Sequence, residues 1–218
     1  MLIVGFRCFA ISERVSAASQ PRALYCRVVA LVRLLGLVAG LGAVLFAQAP
    51  PGRGNVAPFY PTPMQVAVKM LQEAELKAGE LHYDLGSGDG RLVILAARNF
   101  GAKSVGFEID SELINSSRRQ LEKLELGELA EIREQDLFTA DFSDVDVVTV
   151  YLLPRALARL KPILETSLKA GARIISHDFP VDGWDPEKTV TLDNYDDPVD
   201  NWLHTIYVYR RPAADTAQ

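Results

Sequence analysis

A glycine-rich loop carries the clearest chemical signal in this chain. Gly86, Gly88 and Gly90 alternate with Ser87 and Asp89 directly after a predicted strand. Glycine adopts positive φ without strain and lets a ligand approach the main chain closely, so such a turn can wrap around a cofactor. A dinucleotide fingerprint would place its third glycine at position 91, which is Arg91 here, and this spacing disfavours NAD.

Three carboxylates lie at or just after the ends of the predicted strands around this loop. Asp84 lies two residues before the first glycine, where it could meet an ammonium group, and Glu108 ends the next strand, a position from which an acid commonly holds ribose hydroxyls. Asp136 follows the third strand and could accept from an adenine amino group, or it could simply cap a helix. Together these acids suit a ligand with an amine, a ribose and an exocyclic amine.

A second group of residues follows the fourth and fifth predicted strands. Tyr151 and Pro154 come after the fourth, and Asp178, Phe179 and Trp184 come after the fifth. An acid beside aromatic rings could bind a lysine side chain by charge and cation–π contacts. The alternative for the aromatic residues is an ordinary place in the core. His177 and His82 are predicted to be structural.

The composition describes a globular chain with an acidic body. Hydrophobic residues make up 49% of the 218 residues and charged residues 23%, which excludes collagen-like and wholly disordered classes. The formal net charge of residues 1–49 is +4, whereas residues 50–218 contain 18 basic and 27 acidic residues. This balance argues against an extended nucleic-acid interface and suits a cationic partner. Because both cysteines, Cys8 and Cys26, lie in the basic leader, the body has no cysteine nucleophile or cysteine metal site.

The first 58 residues are predicted to precede the folded domain. Residues 28–47 form an apolar stretch broken only by Arg33, and Ala47-Gln48-Ala49 resembles a signal-peptidase site. A cleaved signal peptide and an uncleaved membrane anchor both remain open. Prolines and glycines make residues 50–58 a linker, followed by a domain over residues 59–212 and a flexible tail over 213–218.

The body alternates strand and helix patterns. Thr62 and Pro63 read as the N-cap and first position of a helix that ends before Gly79. Predicted strands cover residues 81–85, 104–109, 130–134, 146–151, 172–176, 189–192 and 205–209. Predicted helices follow the glycine loop as far as Gly101 and cover residues 111–124 and 155–168. This order predicts an α/β fold: a mostly parallel seven-stranded sheet with helices on both faces and an antiparallel pair at one edge.

The loop and the acids resemble those of the class I methyltransferases. Their D-x-G-x-G-x-G loop and acidic end of strand two are matched by residues 84–90 and Glu108, and the resemblance covers about residues 60–210. It implies a Rossmann-like fold and S-adenosyl-L-methionine as the cofactor. The predicted cofactor-binding residues are Thr62, Asp84, Gly86, Ser87, Gly88, Gly90, Glu108, Asp136 and Leu137. Methyl transfer from a sulfonium requires no metal, and none is predicted.

A narrower resemblance comes from the entry segment, residues 58–64, combined with residues 83–91 and 135–137. It looks like the protein-lysine methyltransferases that modify the ATP synthase c-subunit and the adenine nucleotide translocase, with their bacterial relatives. The resemblance implies that residues 60–63 fold over the cofactor and shape the acceptor channel. The predicted catalytic residues are Tyr151 and Asp178, and the predicted substrate-binding residues are Tyr60, Pro154, Phe179 and Trp184.

The predicted activity is methylation of an accessible lysine in a protein substrate. Methylation of a small molecule or lipid, or a non-catalytic binding module with the same fold, are the alternatives. Because S-adenosyl-L-methionine is made inside cells, the sequence favours a membrane-associated protein that is held by its apolar segment and has its catalytic domain facing the cytoplasm. Export after cleavage of a signal peptide is the alternative.

Overall fold

The computed structural model describes residues 59–193 and 202–212, which form a mixed seven-stranded sheet. The strand order is β3-β2-β1-β4-β5-β7-β6, and β1 to β5 run parallel to one another. The strands are β1 (Leu81–Leu85), β2 (Lys103–Glu108), β3 (Ala130–Glu134), β4 (Val147–Val150), β5 (Arg173–His177), β6 (Lys188–Asp193) and β7 (Leu203–Arg210). The predicted fold class is confirmed. The antiparallel strand β7 lies between β5 and β6, so it pairs on both sides.

Four α-helices connect and cover the strands. They are α1 (Met64–Glu73), α2 (Arg91–Phe100), α3 (Ser111–Lys123) and α4 (Pro154–Ser167). The helix α2 ends at Gly101, whose φ of 67° suits a left-handed C-cap. The Asp110 carboxylate caps α3 by accepting from the backbone N–H groups of Glu112 and Leu113.

Alternating side chains of the strands build a core on each face of the sheet. On one face Val148 and Val150 pack in the same cluster as Leu157 and Leu160 of α4. On the other face Ile175 packs in a cluster with residues of α1 and α2. The parallel strands are therefore covered on both sides, as expected for a βαβ architecture.

The first helix differs from its prediction. It begins at Met64, with Pro63 at the cap position and no side-chain cap, because the Thr62 hydroxyl contacts the ring of His177 at 3.1 Å instead. It ends at Glu73, well before Gly79, and Glu75 adopts a φ of 49° two residues later. A contact with a residue 115 positions away therefore overrides the local capping signal.

The predicted membrane-associated localisation is corrected by the structure. Among the described residues, no helix is both long enough and apolar enough to cross a membrane. The apolar stretch over residues 28–47, on which that localisation and its export alternative depended, lies outside the described residues, as do the linker and the tail. The domain boundaries remain predictions.

Candidate active site

A cleft opens at the carboxyl ends of the central strands, beside the point where the strand order reverses between β1 and β4. It lies between the glycine loop, the end of β2, the segment after β3 and the entry segment. Eight of the nine predicted cofactor residues line it: Thr62, Asp84, Gly86, Ser87, Gly88, Glu108, Asp136 and Leu137. The structure therefore places these residues, which are far apart in the sequence, in one cleft.

The glycine loop has the backbone conformation that its sequence predicts. Gly86, Gly88 and Gly90 have φ values of 80°, 55° and 78°, which L side chains rarely adopt. At Gly88 the ring of Phe59 lies so close that a Cβ atom would come within 2.6 Å of it. Gly90 does not line the cleft; it caps α2, and its missing side chain allows close packing against Ser117 of α3.

Glu108 fastens the loop to the end of β2. Its Oε2 atom accepts from the Gly88 N–H at 2.8 Å, and its Oε1 atom accepts from Ile109 and Asp110 at 2.8 and 3.0 Å. These three bonds fix the carboxylate in the wall of the cleft, where its remaining lone pairs can accept from hydroxyl groups.

Asp84 belongs to a buried polar chain under the loop. Only 4% of it is exposed, and its Oδ1 atom accepts from the Thr149 hydroxyl at 2.7 Å. The Thr149 oxygen lies 2.9 Å from His82 Nε2, and His82 Nδ1 lies 2.7 Å from the Ser104 hydroxyl. Because Thr149 donates its one proton to Asp84, His82 donates from Nε2 and accepts from Ser104 at Nδ1.

Burial sets the protonation of the two titratable side chains in this hydrogen-bonded network. It raises the pKa of Asp84 to about 7, and the negative charges of Asp89 and Glu108 act in the same direction, while the Thr149 bond opposes them. It lowers the pKa of His82 to about 3, so this ring is neutral. A buried carboxyl with a raised pKa is suited to a cationic ligand, which would restore its charged form.

Arg91 ties the entry segment to the loop. Its guanidinium bonds the Asp89 carboxylate through Nε at 2.9 Å and Nη2 at 2.6 Å, and it donates to the Thr62 carbonyl through Nη1 at 2.5 Å. The sequence prediction used Arg91 only to exclude a dinucleotide loop. Its position beside Asp89 at the start of a helix was the available signal for this role.

Of the two predicted catalytic residues, Tyr151 lines the cleft and Asp178 lies behind it. The Tyr151 hydroxyl donates to Asp178 Oδ2 at 3.2 Å. Asp178 Oδ1 accepts from the Thr205 N–H at 2.9 Å. The ring of Tyr60 meets Tyr151 edge-on with centroids 6.5 Å apart, and Phe179 stacks on Tyr151 at 6.3 Å. The tyrosine that donates to this acid therefore packs between two other aromatic rings.

Two buried histidines stand behind this acid. His177 Nε2 lies 2.9 Å from His204 Nδ1, which itself lies 3.2 Å from Asp178 Oδ2. Burial lowers the pKa of His177 to about 4, with Asp178 opposing and His204 adding to the shift. The sequence prediction missed His204, since its partners lie on another strand and only the alternation of β7 shows that it faces inward.

The remaining predicted site residues either lie outside the cleft or line it and also make a structural contact. Asp136 lines the cleft and also caps a short 3₁₀ helix (Leu137–Thr139) by accepting from Phe138 N–H at 3.0 Å. Pro154 is exposed at the start of α4. Trp184 donates to Glu165 at 2.8 Å and packs against Tyr209. Like Asp178 and Phe179, neither Pro154 nor Trp184 lines the cleft. The catalytic and substrate roles of these residues remain predictions.

Comparison with known proteins finds relatives over the part of the chain that forms the cleft. Residues 84–188 match the family model described as the ANTKMT methyltransferase domain. A protein-lysine N-methyltransferase of Saccharolobus islandicus is 39% identical over 153 residues, which cover 70% of this chain and 92% of that protein. The human lysine N-methyltransferase of the ATP synthase c-subunit is 31% identical, over 71% of this chain and 67% of that protein.

One solved structure supports both the fold and the cofactor. A structure titled RNA methyltransferase from Salinibacter ruber, in complex with S-adenosyl-L-homocysteine, is 40% identical with a TM-score of 0.65. The match covers 73% of this chain and 98% of that one. That complex holds the demethylated product of S-adenosyl-L-methionine.

The described cleft fits such a cofactor. Its wall offers carboxylates for an amine and for hydroxyls, and the buried Ser87 hydroxyl at its edge has no hydrogen-bond partner among the described residues. A cationic sulfonium is compatible with the acids that line the cleft. The chain therefore belongs to the protein-lysine methyltransferase family that contains the ANTKMT methyltransferase domain, and it is an S-adenosyl-L-methionine-dependent methyltransferase.

Proposed function

We propose that this chain methylates the side-chain amine of a lysine in a protein substrate. The observation that carries the proposal is Tyr151, which lines the cleft, donates from its hydroxyl to Asp178 and packs against the rings of Tyr60 and Phe179. A carboxylate beside aromatic faces attracts an ammonium group by charge and by cation–π contact. The names of the relatives support the same substrate class.

The chemistry divides between two side chains. The cofactor, when bound, supplies an electrophilic methyl group, and the amine must meet it with a free lone pair. Asp178 draws the ammonium to the end of the cleft, and because the side chain is 18% exposed, water can carry the released proton away. Tyr151 contacts both the cleft and Asp178, so its hydroxyl positions the amine for in-line attack.

The surface around the cleft suits a large acceptor. The described chain exposes seven large apolar side chains by more than a third, and six of them lie in segments at the carboxyl edge of the parallel strands. These six, which we call the apolar rim, are Phe59, Tyr60, Met64, Leu153, Trp202 and Leu203. An exposed apolar group beside an active site typically marks a surface for a macromolecular partner.

The remaining assignments follow from this function. We assign the cofactor to the eight cleft residues named above, with Gly90 supporting the loop from behind. We assign catalysis to Tyr151 and Asp178, and acceptor contacts to Tyr60 and Phe179. Residues 59–212 form the catalytic domain in this proposal.

The test is to supply labelled cofactor to the purified full-length chain together with cellular protein, RNA and lipid fractions. We expect label on lysine in the protein fraction, located by mass spectrometry. The Tyr151→Phe variant should bind S-adenosyl-L-homocysteine normally but transfer methyl groups at least about tenfold more slowly. The matched control is Tyr207→Phe, a partly buried tyrosine of β7 outside the cleft. Label confined to RNA or lipid would overturn the lysine assignment.

A further inference from the structure

We propose that His177, Asp178 and His204 form a binding site for a Zn²⁺ ion where β5 ends and β7 begins. Three atoms of the cluster face one another: His177 Nε2, His204 Nδ1 and Asp178 Oδ2. Two neutral imidazole nitrogens and one carboxylate oxygen form a common zinc ligand set that leaves a fourth position open.

The distances between these atoms fit the ion. They are 2.9 Å between the two ring nitrogens, and 3.2 and 3.4 Å from the carboxylate oxygen to His204 and His177. A circle through three points with these separations has a radius of about 1.8 Å, which is shorter than the Zn–N distance of about 2.0 to 2.1 Å. An ion about 0.8 to 1.0 Å out of their plane therefore reaches all three atoms at ordinary bond lengths.

The chemistry of the ligands selects among cations. Ca²⁺ takes six or more oxygen ligands at about 2.3 to 2.6 Å, and Mg²⁺ also prefers oxygen. Two nitrogen ligands in a buried pocket match neither ion. Imidazole binds Zn²⁺ well, which is why we assign the site to zinc.

Surrounding contacts hold the ligands in place. The other ring nitrogen of His177, Nδ1, lies 3.1 Å from the Thr62 hydroxyl, the kind of outer contact that fixes a metal-binding imidazole. The other oxygen of Asp178 accepts from the Thr205 N–H. Both histidines are fully buried. The chain has three histidines, and the remaining one, His82, has both ring nitrogens within hydrogen-bond distance of Ser104 and Thr149.

A bound ion would act on catalysis through Asp178. It would coordinate Oδ2, the same oxygen that accepts from Tyr151. Resting on the proposed function, we expect zinc to compete with the acceptor ammonium for this carboxylate and to slow methyl transfer. The ion is thus inhibitory and takes no part in the transfer itself.

The test uses the full-length chain with Cys8→Ser and Cys26→Ser, which removes the thiols from the measurement. Co²⁺ is titrated as a spectroscopic probe and then displaced by Zn²⁺. We expect the intense visible absorption of tetrahedral Co²⁺, saturating at one ion per chain. Asp178→Asn and His204→Gln should each weaken binding about tenfold or more. The control Asp182→Asn, an exposed acid nearby, should bind as the parent does.

Binding of S-adenosyl-L-homocysteine verifies that each variant is folded. A chain that gives no tetrahedral Co²⁺ spectrum, or folded Asp178→Asn and His204→Gln variants that bind as tightly as the parent, would overturn the site. The two proposals fail separately. If zinc binds but leaves methyl transfer unchanged, the metal site stands and the acceptor role of Asp178 fails. If transfer to lysine proceeds and no ion binds, the function stands and the metal site fails.

Discussion

Asp84 is a carboxyl group buried under the glycine loop with a single neutral hydroxyl donor, Thr149. Its charged form is therefore costly in the folded protein without ligand, which explains why burial is the main cause of its raised pKa. A cationic group in the cleft would stabilise the charged form. The side chain that suits the cofactor thus destabilises the empty fold, a compromise common at binding sites.

The first prediction concerns pH and the Asp84→Asn variant. The pKa of Asp84 rises from 3.8 in the unfolded chain to about 7 in the folded one, so between these values only the folded state keeps the proton. The titration of Asp84 therefore lowers the free energy of unfolding as the pH rises from about 4 to 7, and this free energy stays lower above pH 7. Asp84→Asn keeps the acceptor oxygen and removes the charge.

Without cofactor, Asp84→Asn should therefore have a higher free energy of unfolding than the parent at pH 8, by up to about 4 kcal/mol, and the same value at pH 4. Urea unfolding at both pH values measures this difference. Titration of all other groups is common to the two proteins, so a gap that is independent of pH would contradict the raised pKa.

Gly88 is a cleft position where the loop tolerates a side chain poorly. Its φ is 55°, and a Cβ atom would meet the Phe59 ring at 2.6 Å. Gly88→Val should weaken S-adenosyl-L-homocysteine binding about tenfold or more, because a branched residue in this conformation is strained by about 1 to 3 kcal/mol and displaces the ring above the loop. Calorimetry measures the affinity.

Gly127→Ala provides the matched control for Gly88→Val. Nothing lies within 4 Å of a Cβ atom at Gly127, and its φ is not in the left-handed region. It should bind the ligand as the parent does. Normal affinity in folded Gly88→Val would show that the loop does not contact the cofactor.

The part of the entry segment that precedes α1, residues 59–63, connects several elements of the fold. It runs from Phe59, which lies above the loop, to the start of α1. Arg91, the first residue of α2, bonds both the loop and the Thr62 carbonyl. Thr62 in turn contacts His177 at the end of β5. One short segment thereby connects the cofactor loop to the acceptor end of the sheet.

Arg91→Ala should release this segment from the loop. We expect S-adenosyl-L-homocysteine to bind several-fold more weakly and to dissociate faster, which stopped-flow displacement can measure. Arg91→Lys should not restore the parent values, because lysine lacks the planar fork that bonds two acceptors at once. Arg98→Ala, in the last turn of the same helix, is the control and should change neither quantity. Dissociation as slow as the parent's in Arg91→Ala would contradict the role of the tether.

Local sequence patterns predicted the strands and most helices well, but they did not predict the tertiary contacts between them. The period-two strands and the helix between Gly90 and Gly101 follow from side-chain spacing and glycine punctuation, so their bounds agree with the structure within about two residues. The insertion of β7 between β5 and β6 has no local signature. The contacts Thr62–His177 and His177–His204 join residues 115 and 27 positions apart, and only the folded sheet brings them together.

The whole molecule combines an acidic body with the apolar rim, two of whose residues, Phe59 and Tyr60, also line the cleft. Residues 50–218 carry nine more acidic than basic residues, and such a surface would attract a cationic acceptor over a distance. The acids of the cleft were predictable because each lies at or just after the carboxyl end of a strand, and these ends lie at one edge of the sheet. The rim was not, since exposed apolar residues in separate segments form one surface only when the chain is folded.

The last prediction tests whether this rim docks the protein substrate. Leu153 and Leu203 are 42% and 55% exposed at the rim, whereas Leu124 is 38% exposed at the end of α3, away from it. The double variant Leu153→Ser/Leu203→Ser should raise KM for the protein acceptor roughly five- to thirtyfold, which corresponds to about 1 to 2 kcal/mol of lost apolar contact. Its kcat and its affinity for S-adenosyl-L-homocysteine should not change, because neither leucine lines the cleft. Leu124→Ser is the control, and steady-state kinetics with the identified substrate compare the three proteins. A rise in KM at unchanged kcat is expected when a mutation removes contacts that bind the substrate equally before and during the chemical step. An equal effect of Leu124→Ser, or a lower kcat in the double variant, would therefore contradict the role of the rim in binding the substrate.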